Sequence, residues 1–162
     1  MNTRMIGAGL ALLLAAGFVR ADDKVEITTV KLDALHTAIG KHKGKVVVID
    51  FWATFCLPCK KEFPNLVKLH KQKRADLVCI SVSVDETEDK SDALKFLKDQ
   101  KAVFENYLLD EKGETYQKEF DFGAVPCVLV IGKDGKVAKK FTDDNGKFTY
   151  ADVRKEVDAL LK

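Results

Sequence analysis

Val46-Val47-Val48-Ile49-Asp50-Phe51-Trp52-Ala53-Thr54-Phe55-Cys56-Leu57-Pro58-Cys59 decides how this chain is read. Its first seven residues are apolar except for one acid. A continuous apolar run of that length predicts a strand buried on both faces. Asp50 interrupts it and calls for an explanation. After a short loop, Phe63, Leu66, Val67 and Leu69 recur at helical spacing, so the pattern from Cys56 to about Lys73 predicts a helix. The cysteines therefore stand where a buried strand gives way to a helix. There, unpaired backbone N–H groups and the helix dipole stabilise an anion. A cysteine so placed is partly thiolate near neutral pH. Three residues on, Cys59 is about one turn into the helix and can reach back to the first sulfur. Pro58 fits the first turn, where its missing N–H costs nothing, and Pro64 is expected to kink the helix further along.

Outward from this segment, strands and helices alternate. Val25, Ile27 and Val30 mark an extended stretch over 22–30, and a short helix is predicted over about 33–41, ended by Gly44. A second strand is expected from Leu77 to Val84, rich in β-branched residues. A polar loop over 85–89 leads to a helix over 90–100, and a third strand follows from Phe104 to Leu109. A short helix over 114–120 precedes a fourth strand, Val128 to Ile131. Asp134-Gly135 signals a hairpin into Val137–Phe141. Thr149-Tyr150-Ala151-Asp152 resembles a capping box opening a final helix with Val153, Val157, Leu160 and Leu161 on one face. The order predicts an α/β fold: a mixed central sheet with helices on both faces.

The N-terminus reads separately. Arg4, an apolar run of 15 residues from Met5 to Val19, and Ala21 before Asp22-Asp23 describe a secretory signal over residues 1–21, cut after Ala21. The run is short for a membrane span, which needs about 20 residues. Left uncleaved, it would serve as an anchor. No cysteine follows it to carry a lipid. Removing Arg4 and Arg20 with this segment takes the 27 basic residues to 25, equal to the 25 acidic ones. A nucleic-acid binder needs a basic surplus, and none remains. Residues 22–162 form one domain, expected to be monomeric. Four cysteines remain, Cys56, Cys59, Cys79 and Cys127, and export implies a compartment where disulfides persist.

A bare CxxC serves redox, zinc and haem sites alike. No histidine follows Cys59, which excludes covalent haem. Zinc would need two more ligands, and Cys79 and Cys127 both lie inside predicted strands. No metal and no cofactor are expected. No role is given to the histidines; His70 is read as solvent-facing on the helix after the pair, and His36 and His42 as flanking a polar segment.

Asp50-Phe-Trp-Ala-Thr-Phe-Cys56-Leu-Pro-Cys59-Lys resembles the active-site segment of thioredoxins. Lys60-Lys61-Glu62-Phe63-Pro64 is similar to the exported TlpA/ResA branch of that family. Val125-Pro126 resembles the family's cis-proline segment, and Gly132-Lys-Asp-Gly135-Lys its following hairpin. The extra helix and strand at about 90–109 resemble an insertion of the same branch. The resemblance covers about residues 31–162. It implies a thiol–disulfide oxidoreductase in which Cys56 is the nucleophile, Cys59 the buried resolving thiol, and Asp50 a buried carboxylate that accepts the Cys59 proton. It also implies that Trp52 packs beside the pair, that Pro58 and Trp52 border the substrate, and that Val125 and Pro126 offer backbone to an extended substrate segment. The implied partners are protein thiols and disulfides and a membrane-linked electron donor.

The chain departs from the family at three places. Phe55 replaces a second tryptophan. Ser81 falls about where thioredoxins carry a lysine paired with the buried acid. Cys127 follows Pro126, where threonine is common, which would put a third thiol near the site unless it is simply a small core residue. A peroxiredoxin would want threonine or serine three residues before its cysteine and proline seven before; Ala53 and Ile49 stand there. The same fold could also serve as an oxidant, an isomerase or a binding module with the pair as a staple. A copper-handling module wants wider cysteine spacing and a nearby histidine.

Overall fold

The computed structural model describes residues 24–143 and 147–162. The expected signal segment, residues 1–21, lies outside the described residues. The elements run β1 (Thr28–Val30), α1 (Leu32–Gly40), β2 (Val46–Trp52), α2 (Leu57–His70), β3 (Leu77–Ser83), a 3-10 turn (Thr87–Asp89), α3 (Lys90–Gln100), β4 (Glu105–Leu109), α4 (Gly113–Phe120), β5 (Cys127–Ile131), β6 (Val137–Thr142) and α5 (Tyr150–Leu160). They form one six-stranded sheet in the order β1-β4-β3-β2-β5-β6. The first four strands of that order are mutually parallel, and β5 runs antiparallel to both of its neighbours, β2 and β6. This is the expected mixed architecture.

β2 is buried along its whole length because it has a strand on each side and helices on both faces. Alternation sends Val46, Val48 and Trp52 to one face, where Phe63 and Leu66 of α2, Ala93 and Leu97 of α3, and Val153 and Val157 of α5 cover them. Val47, Ile49 and Phe51 face the other way, against Leu35 of α1 and the aromatic side chains of Tyr116 and Phe120 from α4. Asp50 shares the face of Val48 and Trp52 and so lies under α2 and α5.

Several expectations change in detail. Among the described residues of the extended stretch over 22–30, only Thr28–Val30 pairs, with β4. The first helix stops at Gly40, and Gly44 instead takes up φ +93 within the following turn. α2 runs through Pro64 and ends at His70. β3 is one residue shorter than expected, ending at Ser83, although the Val84 N–H still donates to the Trp52 carbonyl of β2 at 2.9 Å. The capping box is formed: the Thr149 N–H donates to Asp152 Oδ2 at 3.0 Å, and the Thr149 hydroxyl donates to it at 2.8 Å. Gly135 takes φ +82 in the hairpin turn, where a side chain would be strained.

Candidate active site

Cys56 caps the N-terminus of α2 and is disulfide-bonded to Cys59, with their Cα atoms 5.3 Å apart. The Cys59 N–H donates to Cys56 Sγ at 3.2 Å. One of the orphan donors of the helix start is thus aimed at the sulfur expected to carry negative charge once the pair is reduced. Both cysteines are nearly buried, whereas the residues on either side of Cys56 stand out: Phe55 is 73 % exposed and Leu57 67 %. Sequence reading missed Leu57 as surface; an apolar residue in the first turn of a helix gives no local sign of which way it faces.

The loop before Cys56 is clamped. The Thr54 N–H donates to both Asp85 oxygens, at 2.9 and 3.0 Å, and the Thr54 hydroxyl donates to Oδ1 at 2.6 Å. The Ser83 hydroxyl donates to Oδ2 at 2.7 Å. Asp85, buried just past the end of β3, therefore ties the approach to Cys56 to the neighbouring strand. From the sequence it was only the first residue of a polar loop.

Asp50 is buried, and the Tyr150 hydroxyl from the first turn of α5 donates a hydrogen bond to its Oδ2. Burial pushes the Asp50 carboxyl up from 3.8 to about 7; the Tyr150 hydrogen bond pulls it down, and the Glu62 charge adds to the rise. The Tyr150 phenol is in turn held well above its usual range by burial, by the Asp50 charge and by its bond to that carboxyl. Ser81, the register partner of Asp50 in β3, donates elsewhere, to Asn106 Oδ1 at 2.8 Å. The position expected to lack a lysine thus contributes nothing to Asp50, and a residue a hundred positions away does.

The Val125–Pro126 peptide is cis. Pro126 lines a groove of about 310 Å³ together with Leu57, Pro58, Lys61, Glu62 and Phe148. Trp52 is fully buried, its ring centroid 5.3 Å from that of Phe63 and 4.8 Å from that of Phe96. It belongs to the same buried cluster as Cys56 and Cys59 and is closed to solvent.

The remaining cysteines stand apart from the pair. Cys79 is buried on the Asp50 face, and burial first, then the Asp50 charge, pushes its thiol up to about 12. Cys127 pairs in register with Phe51 and packs on the opposite face of the sheet, so adjacency to Pro126 does not bring it to the pair. His70 is half-buried rather than solvent-facing, its ring 5.2 Å from that of Phe104. His36 and His42 approach Glu119 and Glu105 at 2.9 and 2.7 Å. Among the described residues, no group of three or more His, Cys, Asp and Glu side chains is placed to hold a metal ion.

A family model described as Thioredoxin-like matches residues 44–137, more than half of the chain. The chain belongs to the thioredoxin-like family. Among its relatives, a thiol-disulfide oxidoreductase ResA of Bacillus cereus is 36% identical over 107 residues, covering 65% of this chain and 59% of that protein. ResA of Bacillus thuringiensis (strain Al Hakam) is 27% identical over 151 residues, covering 88% of this chain and 85% of the relative. A solved structure, described as a putative thiol:disulfide interchange protein DsbE from Chlorobium tepidum, superposes with a TM-score of 0.64 at 27% identity, covering 76% of this chain and 85% of the other. This thioredoxin-like protein is a thiol–disulfide oxidoreductase of the ResA/DsbE type, carrying its CxxC pair at Cys56 and Cys59.

Proposed function

We propose that this protein is an exported reductase of protein disulfides. One observation carries the reading: the Cys56–Cys59 disulfide sits at the start of α2 with a backbone N–H on Cys56 Sγ, and the strand that leads to it carries a buried carboxyl, Asp50, pushed up to about 7. In the reduced form, the Cys56 thiolate attacks one sulfur of a substrate disulfide. A mixed disulfide forms, and the other substrate sulfur leaves as a thiolate and takes a proton from solvent. Asp50, ionised, accepts the Cys59 proton through a water. The Cys59 thiolate then attacks Cys56 Sγ and expels the second substrate sulfur. The substrate gains two electrons, the pair loses them, and a dithiol donor linked to the membrane restores the pair.

Leu57, Pro58 and Pro126 form the rim on which an extended substrate segment lies, with the Val125 backbone as its pairing edge. Trp52 supports the pair from within the same buried cluster. Residues 1–21 direct export, and the domain acts as a monomer.

Turnover of a disulfide substrate by the mature protein tests the reading, and Cys56→Ser should abolish it. Retained turnover in that variant would overturn the mechanism. The potential of the pair tests the direction: a value near about −270 mV fits a reductase, one near about −120 mV an oxidant, and one below about −300 mV a structural staple.

A further inference from the structure

We propose that Tyr150 is a positioning residue for the proton step, fixing the Asp50 carboxylate and setting its proton affinity. The inference rests on the reading of Asp50 as the acceptor of the Cys59 proton.

Tyr150 and Asp50 are both buried, on elements a hundred residues apart, and the hydrogen bond from the phenol to Oδ2 links them directly. The phenol is not a spare group finding any partner. It opens α5, whose capping box fixes the first turn and so the direction in which Tyr150 points. The same face holds Val153 and Val157 in the core, which anchors the helix against the sheet. The residue beside Asp50 in β3, Ser81, is committed to Asn106. Asn106 in turn gives its amide to the carbonyls of Glu26, Ala102 and Phe104. That neighbour therefore has no donor to lend.

The groups that bear on Asp50 come from three elements: Tyr150 from α5, Glu62 from α2, and Cys79 and Ser81 from β3. Glu62 and burial favour the protonated acid, which could not accept a proton near neutrality. The phenol opposes both. A neutral donor does this without placing a second charge in the core, where an unpaired ion would be costly. Because the phenol is itself held protonated, it donates across the working range and does not compete as a base.

The test is Tyr150→Phe, read by two measurements. The first is the carboxyl titration of Asp50 followed by NMR, which needs no turnover. The second is the pH profile of mixed-disulfide resolution in single turnover. Loss of a hydrogen bond to a buried carboxylate should move both alkaline by about one pH unit and slow resolution at pH 7 several-fold. In an Asp50→Asn background the same substitution should leave the profile unmoved. A structural role alone would lower the thermal midpoint without shifting either titration, and an unshifted Asp50 titration in folded Tyr150→Phe overturns the inference. Should that variant fail to fold, a difluorinated tyrosine at position 150 keeps shape and donor. Its more acidic phenol should move the Asp50 titration acid, and no movement would count equally against the proposal. Absence of thiol chemistry in the wild-type protein would instead sink the reductase reading, and leaves the Asp50 titration still readable.

Discussion

Two carboxylates are buried around the strands that lead to the cysteine loop, Asp50 within β2 and Asp85 just past β3, and they are built in opposite ways. Asp85 collects donors from the Thr54 N–H, the Thr54 hydroxyl and the Ser83 hydroxyl. Asp50 has the Tyr150 hydroxyl, and sits otherwise among apolar side chains with the Glu62 charge nearby. An acid surrounded by donors is a fastener, because its hydrogen bonds offset its desolvation. An acid with a single donor is left able to change charge. One holds the loop before Cys56; the other is left for chemistry.

The sharpest way to break this contrast is stability against pH. For Asp50, the folded protein holds the proton up to about 7 while the unfolded chain gives it up near 3.8. Stability should therefore fall as pH rises through that window, with the full cost present above about pH 7. Asp50→Asn should stabilise the oxidised protein at pH 8 by up to about 4 kcal/mol, and the gain should vanish below about pH 4. Denaturant unfolding at the two pH values measures it; a loss of stability at pH 8 would show that Asp50 is a fastener too.

Asp85→Asn should do the reverse. The amide offers one acceptor oxygen where three donated hydrogens converge, so Thr54 or Ser83 keeps an unsatisfied buried donor. A loss of about 2 kcal/mol is expected at pH 8, together with a changed rate of reaction of Cys56 with an alkylating reagent as the loop loosens. Equal stability of this variant and the wild type would remove the distinction.

The smallest effect on stability belongs to the exposed flank. Phe55→Ser and Leu57→Ser change side chains that are largely in solvent, so unfolding should shift by less than about 0.5 kcal/mol. The KM for a protein disulfide should nonetheless rise, while turnover of a small disulfide stays the same. A fall in stability of several times that amount would mean these side chains pack in the folded protein.

Much of this was legible locally. The run Val46–Trp52 gave its strand, the cysteine spacing its helix start, Asp134-Gly135 its turn and Thr149–Asp152 its cap, because each depends on neighbours within a few residues. Val125-Pro126 was legible only by resemblance. The partner of Asp50 was not legible: Tyr150 reaches it only because α5 docks on that face, a matter of packing rather than of pattern. The side to which Cys127 points depends on the register that sets it opposite Phe51, and register is a pairing between distant segments. Asp85 looked like loop polarity because nothing in its own neighbourhood marks it as buried.

The placement of the two outlying sulfurs has a consequence for maturation. Four cysteines allow three ways of making two bridges, and oxidation offers the chance to make the wrong ones. Once the chain has folded, Cys79 is a thiol pushed up to about 12 inside one layer, and Cys127 is sealed within the other with the sheet between them. Neither can be drawn into exchange with Cys56 without opening the core. The folded molecule can therefore cycle electrons through Cys56 and Cys59 while its two other thiols stay shielded inside separate layers of the core.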